Sequence, residues 1–340
     1  MRFQIRSPSR LHLSLIDLNG SLGRIDGGFG FALENPNFII EFNDNDDSIV
    51  NRGEKFTFFG PDEYLKHVHL IISKLESKLN IKYENIKITV KKSILPHVGL
   101  GSKTQFLLSI VKGLCYLKKI NLTIKEMASL VERGGTSGIG YQIFEKGGFI
   151  LDLGHSYGKN GEKTSFLPSS ASKAQPAMAF FHHVMPENWN ILLLIPKIKQ
   201  GANNVEEQNI FQDFTPIPLE EVEKISHRIL MQIVPSIINK DLDNFAEALW
   251  FINNHGFKKI EIGLQHECIS NLLRDIYSTF KVPVGISSFG PGVFVITDSE
   301  EKSKEIYKYI SSRLEDSSIS PGGKIIQTKP NNSGFSLKIF

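Results

Sequence analysis

Apolar and polar residues alternate over residues 2–6 and 11–18, the period of two that predicts half-buried strands. Residues 27–33 (Gly-Gly-Phe-Gly-Phe-Ala-Leu) predict a strand entered through glycines, and residues 39–42 and 55–59 add short strands around a polar turn at 43–47. Over residues 62–79 the period becomes helical, with Leu65, Val68, Ile71, Ile72, Leu75 and Leu79 on one face. Ile86, Ile88 and Val90 return to strand alternation. A second helix opens after Pro96-His97-Val98-Gly99-Leu100-Gly101-Ser102 and carries Phe106, Ile110, Leu114 and Leu117 on one face.

Thr123 and Glu126 have the spacing of a capping box, and their helix should run to about Arg133 before Gly134-Gly135. The turn Thr136-Ser137-Gly138-Ile139-Gly140 leads into a short helical stretch, and residues 149–153 predict a strand. Residues 169–176 are the clearest loop, and the organisation changes near residue 188. Beyond it lie a strand at 190–196 and helices at 219–238 and 242–254, the first kinked or ended by Pro235. A helix at 265–279, a strand pair flanking 287–292 and a helix at 299–314 follow, the last capped by Asp298 and Glu301. Strands at 324–328 and 335–339 should close as a hairpin across 331–334. Strands and helices mix throughout without a repeat, which predicts an α+β chain of two domains, residues 1–187 and 188–340.

Composition narrows the class. The 340 residues are 41% hydrophobic and 22% charged, a globular balance. Lys and Arg total 39 against 36 Asp and Glu, a net charge of +3 with the signs interspersed, which argues against a nucleic-acid partner. No apolar run approaches the ~20 residues of a membrane span. The opening MRFQIRSPSR has no apolar signal core, so a cytoplasmic protein with no membrane partner is expected. Cys115 and Cys268 fall on helical faces as small hydrophobes, too few for a disulfide framework.

The candidate chemistry sits in glycine-rich turns. A strand, a glycine turn and a helix start together present free amides at the positive end of a helix dipole, which attracts anions. Gly99-Leu100-Gly101-Ser102 has this form but lacks the Lys-Ser/Thr ending of a P-loop. Residues 134–140 and Ser287-Ser288-Phe289-Gly290-Pro291-Gly292 supply two more turns of this kind. Near the N-terminus, Arg10, His12, Asp17, Arg24 and Asp26 place polar groups in an apolar strand region. Arginine suits phosphate, and carboxylates suit Mg²⁺. An exposed hairpin explains Arg24 and Asp26 equally well, and a lone histidine such as His12 is more often structural. His182 and His183 point to opposite faces of a strand, against joint metal ligation.

Together these motifs resemble the GHMP kinase superfamily. Residues 96–102 resemble its central phosphate loop, and Ile286-Ser-Ser-Phe-Gly-Pro-Gly-Val293 resembles its C-terminal glycine motif. The resemblance implies a ribosomal-protein-S5-type N-terminal domain and a ferredoxin-like C-terminal domain. Kinases of the superfamily usually place a catalytic Asp where this chain has Gly140, so that base is missing here. A narrower likeness covers residues 9 to about 297 in unbroken order. SRLHLSLIDLNGSLGRIDGGFGFALENP, LPHVGLGSKTQ, ERGGTSGIG with EKGGFILDLGH, and GISSFGPGVFVI resemble the β-ribofuranosylaminobenzene 5′-phosphate synthase family of methanopterin biosynthesis. Lys103 and Leu153 depart from that family's pattern.

The resemblance implies transfer of phosphoribose from phosphoribosyl pyrophosphate to 4-hydroxybenzoate or 4-aminobenzoate, with loss of CO₂ and pyrophosphate. It implies Asp17, Arg24 and Asp26 as catalytic residues, with Asp17 and Asp26 holding Mg²⁺. Arg10, His12, Gly99, Gly101, Ser102 and Lys103 would bind substrate, with Arg133 a further phosphate contact. Thr136, Ser137 and Gly138 would hold the 5′-phosphate or line the ring pocket, and Ser287, Ser288 and Gly290 would close the cleft from the second domain. A homodimer is also implied. The alternative is a GHMP small-molecule kinase that uses ATP and another base.

Overall fold

The N-terminal alternation folds as one long hairpin, not as separate short strands. β1 (Arg2–Asp17) and β2 (Arg24–Asn43) pair antiparallel along nearly their whole length, with irregularities between Ser7 and Ser9 and between His12 and Ser14. The computed structural model describes residues 1–44, 55–198, 204–315 and 321–340, so residues 45–47 of the polar turn lie outside the described residues. β2 is long enough to serve two sets of neighbours. Its end, residues 39–43, pairs with β4 (Ile86–Lys92), which pairs in parallel with β3 (Phe56–Phe59). Its beginning pairs with β5 (Phe149–Asp152) and β6 (His155–Ser156), and β7 (Ala179–His183) adds to β5.

Helices α1 (Asp62–Leu79), α2 (Ser102–Leu117), α3 (Ile124–Leu130) and α4 (Ile139–Lys146) belong to this half. The Thr123–Glu126 box is present in both directions, at 3.2 Å for the Glu126 amide and 2.8 Å for the Thr123 amide. Its helix stops at Leu130, short of Arg133.

The second sheet is built from β8 (Asn190–Pro196), β9 (Val284–Ile286), β10 (Val293–Thr297) and β11 (Gly323–Thr328) in the order β11-β8-β10-β9. Every neighbouring pair is antiparallel, the split βαβ arrangement of a ferredoxin-like unit. Helices α5 (Asn204–Phe214), α6 (Leu219–Arg228), α7 (Val234–Ile238), α8 (Leu242–Asn253), α9 (Gly256–Gly263) and α10 (Glu267–Phe280) fall between β8 and β9. Pro235 does not end its helix. A π-helical stretch at Ile229–Ile233 joins α6 to α7, and Pro235 stands in the first turn of α7, where its missing N–H costs least.

α11 (Glu300–Glu315) is capped by Ser299 rather than by Asp298, since the Ser299 hydroxyl accepts from the Lys302 amide at 3.2 Å. The expected C-terminal hairpin does not form. β11 pairs with β8 in the second sheet, whereas β12 (Ser336–Ile339) crosses to pair with β1 in the first. The largest apolar core likewise runs through both sheets, from Phe3, Phe42 and Phe106 to Leu193, Phe245 and Phe294. No helix among the described residues is long and apolar enough to cross a membrane.

Candidate active site

The cleft is made where two glycine turns press together. Gly99 has φ +83°, and a β-carbon on it would lie 1.9 Å from the Ser287 carbonyl oxygen. A β-carbon on Gly290 would lie 2.1 Å from the Gly99 nitrogen, so both positions need glycine to let backbone meet backbone. Ser287 fastens the joint. Its hydroxyl donates to the Gly99 carbonyl at 2.6 Å and accepts from the His12 amide at 3.0 Å. The Ser288 amide donates to the His12 carbonyl at 3.1 Å. The 287–292 turn is therefore a weld between the sheets as well as a wall of the cleft.

In front of this joint lies a cavity of about 380 Å³. Arg10, His12, Gly99, Gly101, Ser102, Lys103, Thr136, Ser137, Ser288 and Gly290, all named from the sequence, are among the residues that line it. Helix α2 opens onto it. Gly101, at φ +71°, provides no side-chain cap, so the first amides of the helix face the cavity without an internal acceptor.

Four cations line the cavity: Arg10, Lys103, Arg133 and the exposed Lys66. Burial pushes the Arg10 guanidinium down to about 10, with nearby Arg133 adding to the fall. Burial also lowers Arg133, and Lys103 is lowered by burial together with Arg133 and Lys66. Like charges held this close favour any ligand that brings negative charge. Arg10 is fixed by a 2.8 Å bond to the Gly99 carbonyl, and Arg133 by a 2.9 Å bond from Nε to the Thr104 hydroxyl.

His12 is buried, and its pKa falls well below the usual histidine value, chiefly through desolvation and then through Arg10 and Lys258. Its Nδ1 is buried without a partner at the wall of the cleft. Part of the lining is apolar. Leu15, Phe211 and Phe289 supply that part and belong to one hydrophobic cluster, with Glu207 one helical turn before Phe211 on α5.

Asp17, Arg24 and Asp26 are placed differently from the sequence-based expectation, and none of them lines the cavity. The Asp17 carboxylate accepts from the Asn19 and Gly20 amides at 2.7 and 3.0 Å and so shapes the β1–β2 loop. Arg24 is exposed and donates to the Leu153 and Gly154 carbonyls. Asp26 is buried in an ion network, 2.8 Å from Lys163 Nζ and 2.7 Å from His155 Nδ1. Asp17 and Asp26 face each other across the hairpin, but Asp17 Oδ1 is taken by two amides and Asp26 Oδ2 by Lys163 and His155, which leaves Asp26 Oδ1 buried without a partner. A pair so committed, one member of it against a buried ammonium, does not fit a resident Mg²⁺. Among the described residues, no cluster of three or more His, Cys, Asp or Glu side chains fits a metal ion.

The network instead braces the turn at Thr136–Gly138. Lys163 also donates to the Gly135 carbonyl at 3.2 Å, and Thr136 donates to the Leu167 carbonyl at 2.6 Å. Asp152 accepts from the Gly138 amide at 2.9 Å, and the Ser137 hydroxyl lies 3.2 Å from the same oxygen. Gly138 thus stands behind the cleft and not in it. Burial raises the Asp152 carboxyl to about 7 against the pull of these donors. Gly140 also lies outside the cavity lining, with its carbonyl held by Gln105 at 2.7 Å.

Sequence reasoning missed Glu207, Phe211, Lys163 and Glu261, which lines the cavity and is ion-paired in the interior with Lys258. Glu207 and Phe211 become notable only once α5 sets them in the cavity, and Lys163 only once folding sets it against Asp26.

Residues 63–147 match the family model described as GHMP kinases N terminal domain. The chain is 38% identical to the β-ribofuranosylphenol 5′-phosphate synthase of Methanocaldococcus jannaschii over 98% of this chain and 99% of that one. It is 40% identical to the protein of the same name from Archaeoglobus fulgidus over 87% of this chain and 88% of the other. Among solved structures, homoserine kinase from Cytophaga hutchinsonii matches with a TM-score of 0.70 over 99% of this chain and 97% of that one. At 14% identity, this is a likeness of fold alone.

Proposed function

The chain belongs to the β-ribofuranosylphenol 5′-phosphate synthases within the GHMP kinase superfamily, and from that footing we propose how its cleft carries out the transfer in methanopterin biosynthesis. The donor is phosphoribosyl pyrophosphate and the acceptor is 4-hydroxybenzoate, whose ring becomes the phenol of the product. The observation that carries this reading is the mixed lining of the cavity: Arg10, Lys103, Arg133 and the open end of α2 share it with the apolar Leu15, Phe211 and Phe289. Phosphates and an aromatic ring need these two kinds of wall.

The pyrophosphate of the donor lies over the amides at the start of α2, among Arg10, Lys103 and Arg133. As its bond to the anomeric carbon breaks, the charge gathering on it is met by donors already in place. The ring carbon bearing the carboxylate attacks the anomeric carbon. The pair of the carbon–carboxylate bond then returns to the ring as CO₂ leaves. No step needs a strong base beside the phosphate loop, consistent with glycine at position 140. The turn at Thr136 and Ser137 positions the 5′-phosphate, and the buried network behind it keeps that turn rigid. Magnesium enters only as the counter-ion that the donor brings.

Carboxyl-labelled 4-hydroxybenzoate should release labelled CO₂ only when phosphoribosyl pyrophosphate is present. Folded protein that releases none, yet converts ATP to ADP with a small alcohol, would support the kinase alternative instead.

A further inference from the structure

The cavity contains a carboxyl group that the transfer described above does not use. Glu207 lines it from α5, and Phe211, one turn further along that helix, lines the same cavity with Leu15 and Phe289. Phe211 and Phe289 have ring centroids 6.4 Å apart and form the apolar wall. An aromatic ring lying on that wall would have one edge near Glu207. The groups that face Glu207 are Arg10 from β1, Arg133 from the segment after α3, Glu261 from α9 and Ser170 from the 169–176 loop. Desolvation raises the Glu207 carboxyl to about 7; Glu261 adds to the rise, and Arg133 and Arg10 oppose it.

We infer that Leu15, Phe211 and Phe289 form the subsite for the acceptor ring, and that the Glu207 carboxylate accepts a hydrogen bond from the ring's 4-substituent. This rests on the transferase reading of the cleft and assigns the half of the site that reading leaves open. The chemistry follows from the ring. The attacking carbon is para to the 4-hydroxyl, so drawing the hydroxyl proton toward Glu207 pushes electron density onto that carbon. As the bond to ribose forms, the proton moves further toward the carboxylate. When CO₂ leaves and its bonding pair restores the aromatic ring, the proton returns to the phenol oxygen. No other reactant is consumed. The hydrogen bond strengthens as the ring becomes cationic, so its effect falls on the rate more than on ground-state binding.

Glu207→Gln tests this, because it keeps the shape of a half-buried side chain while weakening the acceptor. Turnover of 4-hydroxybenzoate should fall by about 10- to 100-fold. The KM for phosphoribosyl pyrophosphate should stay within about twofold, since phosphate contacts are untouched. Wild type should show a rate limb that rises with pH through neutrality, as the carboxylate forms, and Glu207→Gln should lose it. Phe289→Leu, which trims the wall without charge, should raise the acceptor KM and leave the limb in place. The inference is overturned if Glu207→Gln keeps both rate and limb, or if its main effect is on the donor KM. If wild type itself releases no CO₂ from either benzoate, it is the transferase reading that fails, a result distinct from both.

Discussion

Replacing Asp26 by Asn separates a structural role from a chemical one. The Asp26 side chain is fully buried between Lys163, which is 4% exposed, and His155, which is 1% exposed. Asn keeps the shape and removes the charge, which leaves the Lys163 ammonium buried without its counter-ion. Burial already lowers the Lys163 pKa, with Asp26 opposing that fall. Breaking a buried pair from one side typically costs about 3–5 kcal/mol. At roughly 2 °C per kcal/mol for a chain of this size, the melting temperature should drop by about 6–10 °C.

Urea titration of wild type, Asp26→Asn, Lys163→Met and the double variant gives the coupling directly. The double variant should recover about 1–3 kcal/mol relative to the sum of the singles. Below its melting range, Asp26→Asn should still turn over, with a raised donor KM because the Thr136–Gly138 turn is less firmly held. An Asp26→Asn protein within about 0.5 kcal/mol of wild type that has nevertheless lost all turnover would refute the reasoning. It would return Asp26 to a direct part in the chemistry.

Other positions give sharper single tests. Gly99→Ala should destabilise by about 3 kcal/mol or more, from positive φ and collision with the Ser287 carbonyl, whereas Gly263→Ala, with open space around it, should be neutral or slightly stabilising; paired thermal melts compare them. Arg10→Lys should raise the donor KM about 10-fold or more, because an ammonium cannot reproduce a buried guanidinium fork, and steady-state kinetics in donor concentration measure it. Gly140→Asp should give no ATP turnover in an ADP-release assay, since a β-carbon there already meets Thr104 at 3.3 Å and the position does not line the cavity.

Much of this site can be read in the sequence, for identifiable reasons. Glycines at 99, 101 and 290 announce tight turns, and the structure uses 99 and 290 for close approach of backbones and 101, at positive φ, for the open end of α2. The Thr123–Glu126 box is local chemistry, so spacing alone reveals it. The misreadings concern partners far apart in the chain. Asp26 resembled a metal ligand until Lys163 and His155 arrived beside it, 137 and 129 residues away. β11 and β12 resembled a hairpin because each alternates correctly, but alternation does not say which sheet a strand joins. Helix α9 begins and ends in glycine and is poorly marked by propensity; packing holds it, with Phe257 buried against Phe211.

The central claim is that a carbon–carbon bond replaces the carboxylate. Donor labelled with ¹³C at the anomeric carbon and 4-hydroxybenzoate labelled with ¹³C at the carboxyl-bearing ring carbon test it in one NMR spectrum. One-bond ¹³C–¹³C coupling in the product, with CO₂ and pyrophosphate released in equal amounts, is the expected result. An uncoupled anomeric carbon bonded to oxygen, with the carboxylate still on the ring, would contradict it.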